Sequence, residues 1–228
     1  MTPDLLRSLL QGTAEAVIAQ SEHLTALDQA IGDGDHGINM KRGLENVLTD
    51  LDNIIAKPPA EALKSVGMTM VMKVGGASGP LYGTLAMTLG KEWPTDDDLD
   101  SAKLGQMLAV SIEALKKRGK ADLGAKTMLD VLAPVQQALE ANKSMAEISA
   151  IAQQAAEATI PMKATRGRAS FLGDRSIGHM DPGACSSAFS GFFGPRICGF
   201  PCVLLGKAWP GKVYRQFVVT FLFFGGAG

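Results

Sequence analysis

Three carboxylates fall within eight residues in the segment Leu27-Asp28-Gln29-Ala30-Ile31-Gly32-Asp33-Gly34-Asp35-His36-Gly37-Ile38-Asn39. Like charges at that spacing repel, and a cation relieves the repulsion. Carboxylate oxygens are hard donors that suit Mg2+ or Ca2+. Asp28, Asp33 and Asp35 are therefore the candidate metal ligands. An EF-hand is excluded, because that register puts Asn39 where the loop needs a Glu. Mg2+ commonly takes a few carboxylates and leaves positions for phosphate oxygens and water. The loop also runs into an expected helix, so His36, Asn39 and the first-turn amides are placed to meet an anion. A solvated Asp/Gly turn is the plain alternative, and a His standing alone is more often structural.

A second loop, Val74-Gly75-Gly76-Ala77-Ser78-Gly79-Pro80-Leu81-Tyr82-Gly83, is built of small residues that let backbone amides approach a ligand. Pro80 suits the first turn of a following helix, whose free amides and dipole would stabilise a phosphate. Tight helix–helix packing explains the same residues. A third loop, Gly119-Lys120-Ala121-Asp122-Leu123-Gly124-Ala125-Lys126-Thr127, narrowly misses a phosphate-binding P-loop. Its spacing is off by one residue and no strand precedes it, so that reading is rejected. Thr127 suits a helix cap; Gly119 and Met128 remain candidates to line a nucleotide pocket. A fourth loop, over residues 165–183, carries Arg166, Arg168 and Arg175 and ends in Asp181-Pro182-Gly183. Guanidinium groups bind phosphates well, and Asp-Pro-Gly marks a turn or helix start.

The elements that must position these loops read as helices. Leu6, Leu10, Thr13 and Val17 recur at helical spacing, as do Leu63, Val66, Met70 and Val74, and Met128, Leu132, Val135 and Leu139. Further helices are expected over about 38–53, 80–91, 100–118 and 145–159. No alternating strand pattern, internal repeat or long linker interrupts residues 1–187, which read as one all-α domain. The chain has 228 residues and a net charge of −1, so no basic field points to nucleic acid. Three cysteines exclude a disulfide framework. The N-terminus lacks a signal-peptide pattern and no apolar run is long enough to span a membrane, so the expectation is a soluble cytoplasmic protein.

The composition breaks near residue 188. All 23 acidic residues and all 11 methionines lie before it, and eight of the nine phenylalanines lie after it. Residues 188–228 hold four basic groups and no acid, leaving 18 basic against 23 acidic residues before them. An added strand, a membrane anchor and an out-of-frame terminus all fit such a tail, and the composition favours the last. Gly191, Gly194 and Pro195 would interrupt a helix begun at Ser186-Ser187-Ala188.

Taken together, the four loops resemble the L-subunit family of dihydroxyacetone kinases, a family that also occurs as the nucleotide-binding domain of fused kinases. The segments that carry the resemblance are Leu27–Met40, Val74–Thr84, Arg118–Pro134 and Lys163–Ala184, and it extends over roughly residues 1–187. It implies a closed barrel of about eight antiparallel helices with the nucleotide at one end. It further implies that Asp28, Asp33 and Asp35 hold two Mg2+ ions against ADP or ATP. His36, Gly37, Ile38, Asn39, Ala77 and Ser78 would contact the phosphates. Gly119, Met128, Asp181, Pro182 and Gly183 would line the nucleotide pocket, and Arg168 would assist transfer at the terminal phosphate. The implied partners are a K subunit that holds dihydroxyacetone and a phosphotransferase-system carrier, the M subunit, that rephosphorylates ADP in place; a homodimer is also allowed for. Two rivals stay open: an ATP-dependent kinase module for another small polyol or acyl group, and a nucleotide-sensing regulatory module.

Overall fold

A computed structural model of the chain describes residues 1–95 and 99–188. The described part consists of helices α1 (Pro3–Ala19), α2 (Ser21–Ile31), α3 (His36–Thr49), α4 (Leu51–Ile55), α5 (Pro59–Lys73), α6 (Ser78–Lys91), α7 (Ser101–Gly119), α8 (Leu129–Glu140), α9 (Met145–Glu157) and α10 (Pro182–Ala188). A 3-10 stretch, Arg168–Ser176, lies between α9 and α10. The all-α expectation holds, with no strand among the described residues. None of their helices is long and apolar enough to cross a membrane. The tail expected from residue 188 onward lies, apart from Ala188, outside the described residues.

Local signals start these helices. Thr2 caps α1 ahead of Pro3, whose missing N–H is one that a first turn leaves unpaired in any case. Asp100 caps α7 by accepting from the Lys103 amide at 2.8 Å. Ser144 and Glu147 form a reciprocal capping box at α9. Each amphipathic helix then buries one face in a shared apolar core that includes Leu10, Leu44, Leu63, Leu85, Leu108, Leu132 and Ile148.

Helix neighbours in the chain are mostly neighbours in space. α2 packs on α3, α3 on α5, and α5, α6, α7, α8, α9 and α10 pack each on the next. α10 returns to α2, so these pairings close a ring, with α1 and α4 flanking α3. The α5–α6 approach depends on glycine: a Cβ on Gly67 would stand 2.8 Å from the Gly83 carbonyl oxygen, and one on Gly83 the same distance from that of Gly67. Gly79 and Gly83 thus serve helix packing, whereas Gly76, with φ +64°, serves the loop.

Two expectations need correction. The helix expected over 38–53 is divided at Asp50 into α3 and α4, which lets the chain turn under α1. Asp28 is not in a loop. It sits in the last turn of α2, because nothing in Ser21–Ile31 stops the helix before Gly32. Alternation of direction around the ring gathers the connections after α2, α5, α7 and α9 at one end, where they form the site.

Candidate functional site

Asp28, Asp33 and Asp35 each offer a carboxylate oxygen within 4.8 Å of the others. The buried Asp28 is fixed from two sides. Its Oδ2 accepts from the amides of Asp35 at 2.8 Å and His36 at 3.1 Å, so a helix-end side chain ties down the first turn of α3. Its Oδ1 lies where a Cβ on Gly32 would come within 2.0 Å. Only glycine leaves that oxygen its place. Arg168 reaches across from the 3-10 stretch, its Nε 2.8 Å from Asp33 Oδ2. Both partners are well exposed, so this ion pair contributes little to stability and is readily exchanged. A hard divalent cation fits the set: three convergent oxygen donors, one held rigidly and two near solvent.

The cleft beside these carboxylates is lined from all four loops. Asp33, Asp35 and His36 come from the first, Gly76, Ala77 and Ser78 from the second, and Lys126, Thr127 and Met128 from the third. Arg166, Gly167, Arg168, Asp181, Pro182 and Gly183 complete it from the fourth. It runs on into an apolar cavity walled by Leu81, Leu115, Ala121, Met128 and Leu129, with Gly119 and Arg118 at its edge. Ala77, Thr127, Met128 and Arg166 border both halves. A polar, carboxylate-rich half joined to an apolar half suits a ligand with an anionic end and a flat apolar end.

His36 is spoken for by the protein. Its Nδ1 lies 2.9 Å from Ser78 Oγ and its Nε2 2.9 Å from Ser186 Oγ. Burial holds its pKa down to about 4, although Asp28 and Asp35 pull the other way. The ring is therefore neutral, with one nitrogen donating and the other accepting. The network continues from Ser186 to the Tyr82 hydroxyl at 2.6 Å and on to Ser187 at 2.9 Å. Burial pushes the Tyr82 phenol up to about 12. The imidazole thereby braces the Ser78 hydroxyl, at the start of α6, against α10.

Of the sequence-derived site residues, Asp28, Asp33, Asp35, His36, Ala77, Ser78, Met128, Arg168, Asp181, Pro182 and Gly183 line the first half of the cleft, and Gly119 the second. Gly37, Ile38 and Asn39 do not line it. Gly37 is pressed on α2, where a Cβ would meet the Ser21 carbonyl oxygen at 1.9 Å. Ile38 faces solvent. Asn39 accepts a 2.8 Å bond from Arg42. The Asn39 amide is used within the helix, donating to the Asp35 carbonyl at 2.9 Å; the first-turn amides of Gly37 and Ile38 are the ones placed at the helix start, where an anion would bind. Met128 stands at the N-cap position of α8, and the expected capping by Thr127 comes from one residue further back, its Oγ1 accepting from the Leu129 amide at 3.3 Å; Asp130 accepts in turn from the Thr127 and Gly124 amides at 2.8 and 2.5 Å. Lys126, Arg166 and Tyr82 were missed as lining residues. The arginine-rich loop hinted at Arg166 and the near-miss P-loop at Lys126; nothing local distinguishes Tyr82.

Comparison with known proteins places the chain in a family and a fold. The family described as the DAK2 domain matches residues 30–190. The PEP-dependent dihydroxyacetone kinase 1, ADP-binding subunit DhaL, of Listeria innocua is 45% identical over 179 residues, covering 78% of this chain and 88% of that protein. The PEP-dependent dihydroxyacetone kinase, ADP-binding subunit DhaL, of Escherichia coli is 46% identical over 178 residues, covering 75% and 85%. The crystal structure of the dihydroxyacetone kinase from C. freundii in complex with AMP-PNP and Mg2+ shares the fold, with a TM-score of 0.65 at 24% identity over 81% of this chain. This chain spans about a third of that one, 32% of its length.

Proposed function

Because the chain belongs to the DAK2-domain family, we propose that it works as the ADP-binding subunit of a PEP-dependent dihydroxyacetone kinase, passing a phosphoryl group from a Mg2+-bound nucleotide to dihydroxyacetone on a K subunit. Its near relatives of matching length carry that name. The observation that carries the reading is the meeting of three carboxylates, the Ser78 helix start and Arg168 at the mouth of a cleft whose far half is apolar.

Asp28, Asp33 and Asp35 would hold Mg2+, two ions in this reading. When bound, the metal offsets charge on the nucleotide phosphates. The chain's own residues do the rest. Ala77 and Ser78 receive the phosphates at the start of α6, with the first-turn amides of α3 opposite. Met128 and Gly119 bound the space for the base, and the Asp181–Gly183 turn closes one side. Arg168 leaves Asp33 and sets its guanidinium on the transferring group, where charge must be stabilised during in-line displacement. The bond to the terminal phosphorus breaks on the ADP side as a new one forms to the sugar hydroxyl. His36, neutral and bonded at both nitrogens, is not a free base for that hydroxyl's proton. This supports a sugar that is held and deprotonated on another subunit. An M-type carrier that rephosphorylates ADP in place, a homodimeric state and a cytoplasmic location belong to the same reading.

The test combines calorimetry with reconstituted transfer. Asp33→Ala and Asp35→Ala should abolish Mg2+-dependent ADP binding. Arg168→Ala should keep ADP affinity but slow transfer about 100-fold or more, as for loss of a charge-stabilising donor. Undiminished ADP affinity in either aspartate variant, or full transfer by R168A, would contradict the assignment. Ready exchange of bound ADP with labelled ATP would favour an ATP-dependent kinase instead.

A further inference from the structure

Lys126 has no part in the mechanism above, yet only 1% of it is exposed. Its Nζ donates to the carbonyl oxygens of Met162 at 3.1 Å, Ser176 at 2.5 Å and His179 at 2.6 Å. An ammonium has three donors, and here all three are used. The group is not available to grip a phosphate, despite its place in a loop that resembles a P-loop. The three carbonyls bracket the 3-10 stretch Arg168–Ser176, one before it and two at and after its end. Other ties hold the stretch as well: the Ala164 amide donates to Ser176 Oγ at 2.9 Å, Lys163 pairs with Asp174 at 2.7 Å, and the Gly178 amide donates to the Ile160 carbonyl at 2.8 Å, but among the described residues only Lys126 joins both of its ends at one atom. Of its nine residues only Ala169 and Ser176 are buried, and Gly173 breaks it with φ +57°. Lys126 itself adopts φ +63°, an uncommon and costly backbone for a lysine. The flanking backbone adds a further tie, since the Thr165 amide donates to the Ala125 carbonyl at 3.2 Å. Thr127 and Met128, the next two residues, border both halves of the cleft.

We propose that Lys126 is a positioning residue for phosphoryl transfer: by gathering the two ends of the arginine-bearing stretch onto the cleft wall, its ammonium sets Arg168 over the carboxylates without touching the nucleotide. The inference rests on the reading of Arg168 given above. Lys126→Met keeps the aliphatic length and removes every donor. In nucleotide-free, metal-free protein, the Thr165 and Gly178 amides of K126M should exchange with deuterium at least ~10-fold faster than in wild type, with α5 and α6 amides unchanged. With partners and saturating nucleotide, transfer should fall to the R168A level while ADP affinity stays within about threefold. The K126M/R168A double variant should be no slower than either single variant. Unchanged exchange, wild-type transfer by K126M, or losses that multiply in the double variant would each overturn the proposal. A merely structural lysine would give multiplying losses. If K126M does not fold, Lys126→Gln, which keeps an amide donor, goes through the same cycle; failure of both to fold would make Lys126 a core requirement and end the proposal. Full transfer by R168A would instead strike the parent reading, leaving the exchange result to report on the tether alone.

Discussion

Replacing Gly32 by alanine tests whether Asp28 is held ready before any ligand arrives. An alanine Cβ would stand 2.0 Å from Asp28 Oδ1 and 3.0 Å from its Cγ, well inside the ~3.5 Å at which such atoms attract. The carboxylate must swing away, which breaks the bonds Oδ2 accepts from the Asp35 and His36 amides. Hydrogen bonds to a charged group contribute ~1.5–3 kcal/mol each. Taking the lower figure for both gives about 3 kcal/mol, or roughly 100-fold at ~1.4 kcal/mol per decade. Titration calorimetry should therefore find ADP binding about 100-fold weaker in G32A with Mg2+ present. Binding measured in a chelator should be the same as for wild type, and circular dichroism should report unchanged helix content. A G32A chain that binds ADP with Mg2+ as tightly as wild type would refute the claim that Gly32 sets the Asp28 carboxylate.

Two further outcomes are expected. Burial raises the Asp181 carboxyl from 3.8 to about 7, with the Ala184 amide and Lys126 opposing. A folded-state pKa above the unfolded one gives stability that is complete below pH 3.8 and is lost as pH rises through 7. Asp181→Asn, which keeps an acceptor for the Ala184 amide, should gain thermal stability over wild type across that window, by up to ~4 kcal/mol, and hold the gain above it. Melts of ligand-free protein that differ by a constant amount from pH 4 to 8 would speak against it. Tyr82→Phe leaves Ser186 and Ser187 short of a partner and should cost about 1–3 kcal/mol in urea unfolding, with ADP affinity nearly unchanged. A wild-type midpoint would show that the hydroxyl network contributes nothing.

Much of this protein is written locally. The spacing of Leu63, Val66 and Met70 marks α5, and that of Leu132, Val135 and Leu139 marks α8, because an amphipathic helix is decided within a few turns of itself. Asp100 and Ser144 start helices through bonds to residues three positions on. The carboxylate cluster is equally local, since Asp28 and Asp35 are a helix end and the next helix start. What no local pattern contains is the meeting of distant residues. His36 contacts Ser78, 42 positions away, and Ser186, 150 positions away, and those bonds make an imidazole at the cleft wall also a brace between α3, α6 and α10. Lys126 reads as a failed P-loop lysine until the ring brings residues 162–179 over it. Spacing along the chain specifies helices and charge; only closure of the ring decides which polar groups are used up inside the protein and which are left for a ligand.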